Sequence, residues 1–163
     1  MQTAVYYNIT MQNIRDVKLK DFHQISLISH QCFLPQERTP SWKLKKRIQN
    51  SSVFQVLEDE NQIRSYICAI KVMESDIQAK CQRTKDEENG DSLLILSLAT
   101  RKEFQSMGYA SKLLENIEKQ VKNGQMKNII LLSREDRISF YQQHGFNNEG
   151  SPIKEWYLMK KTI

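Results

Sequence analysis

The segment Ser92–Thr100 (SLLILSLAT) is apolar at almost every position. A strand wetted on one face alternates apolar and polar residues, so this run reads as a central strand buried on both faces. After a break at Arg101–Met107, residues Ala110, Leu113, Leu114, Ile117 and Val121 recur at helical spacing, and Asn123-Gly124 ends that helix. Asn128–Leu132 is a second buried strand. Strand, helix and strand in this order call for helices laid on a sheet, an α/β (α+β) layer fold. At 163 residues, roughly 70% of the unfolded surface can be buried, enough for one core without disulfide or metal staples.

The remaining elements follow from periodicity and punctuation. Tyr6–Met11 is a short β-type segment. From Leu19 onward, Phe22, Ile25, Ile28 and Cys32 mark a first amphipathic helix, stopped by Phe33-Leu34-Pro35. Thr39-Pro40 reads as an N-cap with proline at the first helical position, opening a second helix through Trp42, Leu44 and Ile48. Val53–Glu58 and Ile63–Met73 are β-rich runs joined by the turn Asp59-Glu60-Asn61-Gln62. Glu74–Asp91 is polar and barely periodic, the one long loop. Asp136–His144 is a short helix with Gly145 at its C-terminal end, and Trp156–Met159 is a last strand. The predicted order is β-α-α-β-β-β-α-β-α-β in a single domain, residues 1–163, with a mixed sheet.

Composition removes several classes. The chain is 39% hydrophobic and 26% charged, which is globular rather than disordered or fibrous. Its longest apolar run is far short of the roughly 20 residues a membrane span needs, and Met1–Thr10 lacks the pattern of a secretory signal. Cys32, Cys68 and Cys81 are odd in number and scattered, as are His23, His30 and His144, which reads as reduced thiols in a cytoplasmic protein and no metal site. The net charge of +5 suits a polyanionic partner such as a coenzyme and is also ordinary for a small protein. Lys43, Lys45, Lys46 and Arg47 make the second helix basic, as a solvated face or a phosphate contact. No nucleic-acid-binding signature accompanies that run, and no aromatics interleave with it.

The chemistry concentrates after Thr100. Gln105-Ser106-Met107-Gly108-Tyr109-Ala110 joins a buried strand to a helix, and the N–H groups of a helix start are unpaired and partly positive. Gly108 lets the backbone approach a phosphate, Ala110 keeps the first turn small, and Arg101 and Lys102 add charge nearby. One helix and one strand downstream stands Ser139-Phe140-Tyr141-Gln142-Gln143-His144-Gly145-Phe146. In the two motifs the sequence resembles the GNAT superfamily of acyl-CoA-dependent N-acyltransferases. That family pairs a Gln/Arg-x-x-Gly-x-Gly/Ala loop with a downstream Phe-Tyr-x-x-x-Gly-Phe. The resemblance covers Val53 to the C-terminus closely and the first two helices more loosely. Phe33–Pro40, Leu44, Ile48 and Leu98-Ala99-Thr100 are similar to the serotonin (arylalkylamine) N-acetyltransferase branch and its bacterial relatives. The string Glu37–Trp42 resembles bacterial members.

The resemblance implies a mixed, mostly antiparallel sheet of six to seven strands flanked by about four helices, with splayed strands holding acetyl-CoA as co-substrate. Leu98, Ala99 and Thr100 would pair with the pantetheine arm, and the N–H groups of Gln105, Ser106, Met107, Gly108, Tyr109 and Ala110 would cradle the pyrophosphate. Tyr141 would protonate or hydrogen-bond the departing thiolate. The acceptor is expected to be a small-molecule amine, with protein lysine or N-terminal acetylation and a non-catalytic acyl-CoA sensor as alternatives, and a homodimer is possible on family grounds. The acceptor site would draw on Phe33, Glu37 and Trp42 and on the Glu74–Asp91 loop. Leucines, Leu94 and Leu96, stand where such enzymes carry their histidine or glutamate base. Glu37, Asp91, His30 or a water chain ending on Ser97 would have to substitute. His144, at a helix end, is expected to cap a carbonyl.

Overall fold

The computed structural model describes residues 12–163, so the Tyr6–Met11 segment lies outside the described residues. The elements are β1 (Asn13–Asp16), α1 (Phe22–Cys32), α2 (Ser41–Asn50), β2 (Val53–Asp59), β3 (Gln62–Val72), α3 (Ile77–Lys80), β4 (Ser92–Thr100), α4 (Tyr109–Lys122), β5 (Asn128–Ser133), α5 (Ile138–Gln143), β6 (Asn147–Asn148) and β7 (Tyr157–Thr162). They form one seven-stranded sheet in the order β1-β2-β3-β4-β5-β7-β6, antiparallel except for β4 beside β5. The mixed, mostly antiparallel sheet expected from the sequence is present.

The pleat explains the two layers. Leu57, Ile67 and Ala69 point to the face covered by α4, where Leu113, Leu114 and Ile117 are fully or almost fully buried. Their neighbours Val56, Tyr66 and Cys68 point to the opposite face, against Ile25 and Ile28 of α1 and Leu44 and Ile48 of α2. Period-2 alternation in the strands meets a helical stripe on each side. Burying each such Leu or Ile contributes roughly 1.5–3 kcal/mol. The β2–β3 hairpin turns through Glu60 and Asn61, both at positive φ (51° and 61°), the two-residue geometry whose twist matches the strands.

Two local expectations need correction. Pro40, not Thr39, is the N-cap of α2, and no side chain caps that end; the Thr39 hydroxyl instead accepts from Arg47. Part of Glu74–Asp91 forms the one-turn α3, and Arg47 ties the segment to α2 by donating to the carbonyls of Cys81 (2.7 Å) and Arg83 (3.0 Å).

One irregularity positions the site. Along β3–β4, Cys68 pairs with Ser97 and Ala69 pairs with Ile95, leaving Leu96 as an extra residue. Such a bulge bends its strand. Beyond it β4 parts from β5: the two are paired only at Ser92–Leu94 with Asn128–Ile130, while β5 stays paired with β7 as far as Ser133. A wedge therefore opens in the middle of the sheet.

Candidate active site

The wedge continues into a cleft of about 760 Å³ between the outer half of β4, the start of α4, the end of β5, α5 and the α1–α2 connection. Ser92–Ile95 are buried, whereas Leu96, Ser97 and Leu98 are half-exposed along one wall. The Arg101 N–H donates to the Arg64 carbonyl (2.7 Å), and antiparallel alternation then turns the peptide groups of Leu98 and Thr100 away from β3, toward the gap. The Thr100 carbonyl is already occupied there, accepting from the Cys32 thiol (3.1 Å) and the Gln105 amide (3.2 Å). Burial pushes the Cys32 thiol pKa up, which keeps it a neutral donor.

At one end stands the start of α4. Gly108 is its N-cap at φ 85°, preceded by Ser106 at φ 63°, and no side chain caps the helix. The first intrahelical bond runs from Lys112 N–H to the Gly108 carbonyl (3.1 Å), so the N–H groups of residues 108–111 have no acceptor within the helix. Gly108, Ala110 and Ser111 line the cleft, and a Cβ added to Gly108 would meet nothing within 4 Å. With the dipole of a 14-residue helix behind it, this end is built to receive an anion. Gln105, Ser106 and Tyr109 also line the cleft; Met107 is 57% exposed and is not part of the lining. The Tyr109 ring is buried and turned toward Arg64 and Asp59.

Tyr141 on α5 lines the cleft, its ring edge-on to Phe140 (5.1 Å) and Phe146 (5.6 Å). Burial pushes its pKa up to about 12, against a smaller opposing pull from Arg137. It is therefore a neutral phenol, a donor, throughout the physiological range.

Phe33, Leu34, Glu37, Arg134 and Trp156 also line the cleft. Arg134, just past β5, donates to Glu37 Oε1 through both Nε (2.6 Å) and Nη2, contacts Glu155 at 3.5 Å, and lies 5.0 Å over the Trp156 ring. Glu37 in turn holds the Arg134 guanidinium firmly protonated. Both bonds fall on the same carboxylate oxygen, and Glu37 Oε2 has no hydrogen-bond partner among the described residues.

Phe33 and Glu37 thus reach the cleft, whereas Trp42 does not: it is 58% exposed, with the ammonium groups of Lys43 and Lys46 over its ring, and Trp156 takes the aromatic place. No residue of Glu74–Asp91 lines the cleft, because Arg47 holds that segment against α2. Among the candidate bases, Asp91 pairs with Lys127 and His30 bonds the Ser26 carbonyl within its own helix, both away from the cleft. Glu37 and Ser97 line it. Leu94 is fully buried, and Leu96 sits at the bulge in the cleft wall. His144 bonds the Phe140 carbonyl (2.9 Å), the capping role expected for it. Arg134 and Trp156 escaped sequence reasoning; the one signal was a charged residue immediately after a buried strand.

Solved structures of the same architecture cover nearly the whole chain. The loading GNATL domain of CurA from Lyngbya majuscula superposes with a TM-score of 0.78 at 16% identity, over 93% of this chain and 98% of that one. The PaiA N-acetyltransferase from Thermoplasma acidophilum, in complex with coenzyme A, gives 0.73 at 16% identity over 94% and 99%. The ribosomal-protein-S18-alanine N-acetyltransferase from Escherichia coli gives 0.70 at 14% identity over 94% of each chain. These likenesses carry the fold. A search of curated proteins found no significant match. Residues 19–146, from the start of the first helix to the Phe146 of the second motif, match the Acetyltransferase (GNAT) family. The chain belongs to that family and is an acyl-CoA-dependent acyltransferase.

Proposed function

We propose that this protein transfers an acetyl group from acetyl-CoA to the primary amine of a small molecule, directly within a ternary complex. The observation that carries this reading is the wedge itself. Free peptide groups of β4, an uncapped helix start and a partly buried phenol all face one cleft. The pantetheine amides would pair with Leu98 and the Thr100 N–H, since the Thr100 carbonyl is engaged. The pyrophosphate would sit on the N–H groups of residues 108–111. The backbone provides these contacts, so few specific side chains are required.

The acceptor would enter beside Glu37 and Trp156. An alkylamine with a pKa near 10.4 is neutral in only about 0.04% of molecules at pH 7, a cost of about 4.6 kcal/mol. Glu37 Oε2 would hold the ammonium while one of its protons passes to solvent water, at that cost. The neutral amine nitrogen then attacks the thioester carbonyl; the C–N bond forms, the C–S bond breaks, and the second proton of that nitrogen passes through water to the departing sulfur, which leaves as the thiol. Tyr141 donates a hydrogen bond to the departing sulfur. With the phenol near 12 and a thiol near 8.5, full proton transfer would be uphill by about 5 kcal/mol. Tyr141 therefore stabilises the thiolate rather than protonating it outright.

A small acceptor is favoured because Arg134 ties the α1–α2 connection, through Glu37, to the segment before β7, through Glu155 and Trp156. Such a bridge would narrow the approach that a polypeptide acceptor needs. Thiol release from acetyl-CoA, read as initial rates with arylalkylamines, polyamines, aminoglycosides, amino acids and lysine peptides, tests the reading. A small amine should give the highest rate. A peptide winner would overturn the acceptor class, and coenzyme binding without amine-dependent release would make the protein an acyl-CoA sensor.

A further inference from the structure

The turn that faces the anion-binding end of the cleft is held from behind by a residue outside the cleft. Arg64 on β3 is 8% exposed, and its guanidinium lies 4.1 Å over the Phe104 ring. Its Nη1 donates to the Tyr109 hydroxyl (2.6 Å) and sits 3.1 Å from Asp59 Oδ2, to which the same hydroxyl donates (3.2 Å). Phe104 immediately precedes the turn Gln105–Gly108, and Tyr109 immediately follows it. One side chain therefore grips both ends of four residues, two of which are in the left-handed region. A left-handed serine has little intrinsic preference for that state, so the conformation needs outside support.

The arrangement is expensive for a purely structural element. Asp59 Oδ1 and Arg64 Nε are buried with no hydrogen-bond partner among the described residues. Replacing a buried ion pair of this kind by apolar side chains is frequently neutral or stabilising. What apolar packing cannot supply is a directional fit of two flanks to one planar group.

We propose that Arg64 is a positioning residue for the coenzyme: through Phe104 and Tyr109 it holds the turn so that the N–H groups of residues 108–111 converge on the pyrophosphate. This rests on the reading of the turn as the pyrophosphate cradle. Arg64→Lys keeps a charge beside Asp59 but loses the planar stack on Phe104 and cannot keep the Nη1 bond to Tyr109 together with the Nη2 bond to Glu60 Oε2 (3.2 Å). Initial rates should be taken with two acetyl donors, acetyl-CoA and S-acetyl-N-acetylcysteamine, a thioester without a pyrophosphate. For Arg64→Lys the KM for acetyl-CoA rises about tenfold (~1.4 kcal/mol) with kcat within twofold. Its kcat/KM for the short donor stays within twofold of the parent protein. Tyr109→Phe, which removes one hydroxyl, raises the acetyl-CoA KM in the same direction and carries the test if Arg64→Lys does not fold. An unchanged acetyl-CoA KM, or an equal loss with both donors, overturns the proposal. Failure of the unmutated protein to use acetyl-CoA at all would be seen before any variant is compared, and would overturn the cradle and this inference together.

Discussion

Gly108→Ala separates the binding role of the turn from its structural role. At φ 85° an alanine bears the strain of the left-handed region, roughly 1–2 kcal/mol. Nothing in the protein lies within 4 Å of the new Cβ, so no packing clash adds to that figure. For a chain of this size the melting temperature should fall by about 2–8 °C. The effect on coenzyme binding should be larger in proportion, because the methyl stands in the space where the free N–H groups of residues 108–111 face the cleft. Losing one charge-assisted hydrogen bond costs about 1.5–3 kcal/mol, or roughly 10- to 150-fold in Kd. Gly90→Ala is the control. Its Cβ would come within 2.7 Å of the Val72 nitrogen and 2.8 Å of the Lys71 carbonyl carbon, backbone atoms that cannot swing aside. That variant should lose comparable or greater stability while binding acetyl-CoA as the parent does. Calorimetric titration with acetyl-CoA beside thermal melts reads both quantities. A Gly108→Ala protein that binds acetyl-CoA within twofold of the parent would refute the placement of the pyrophosphate.

Tyr141→Phe should lower kcat by about 100-fold, the lower end of the cost of losing one donor to a developing anion, and leave the Kd for acetyl-CoA within twofold; equal turnover would remove the phenol from the mechanism. Glu37→Gln keeps an oxygen for Arg134 but removes the charge that holds the ammonium and assists loss of its proton, so in initial-rate assays with saturating acetyl-CoA the amine KM should rise about tenfold and kcat fall by about 100-fold. Burial raises Tyr141 to about 12 from 10.0 and Cys68 to about 11 from 9.0. Both raised values mean that the unfolded chain releases these protons first; stability should be intact below pH 9 and decline from about pH 9 to 12, as thermal melts across that range would record.

How much of this was legible in the sequence depended on how local the cause was. Ser92–Thr100 and Asn128–Ser133 could be read because burial on both faces leaves an unbroken apolar run, and α4 because its stripe has a clear period. The β2–β3 turn and the left-handed Gly108 carried their own residue signatures. The bulge at Leu96 carried none: SLLILSLAT contains no glycine or proline, a lone Ser97 does not mark a bulge, and the extra residue arises from register against β3. The strand β1, with the sequence NIRD, is a polar edge that becomes a strand by pairing with β2. The Glu37–Arg134 contact joins residues 97 positions apart, beyond any local pattern, and Trp42 was misplaced because a helical repeat does not reveal which side of α2 faces the cleft. The buried Arg64–Asp59–Tyr109 cluster was likewise unreadable, since Tyr109 looked like one more residue of a phosphate turn.

The central claim is that acetyl-CoA lies in the wedge between β4 and β5 with its pyrophosphate on the start of α4. Titrating isotopically labelled protein with coenzyme A and following the backbone amide resonances tests it residue by residue. The amides of Leu98, Thr100 and residues 108–111 should shift most, saturating together at one Kd, while Gly90 and Asp91 at the opposite end of β4 stay in place. Shifts centred elsewhere, or none at these amides, would contradict the account.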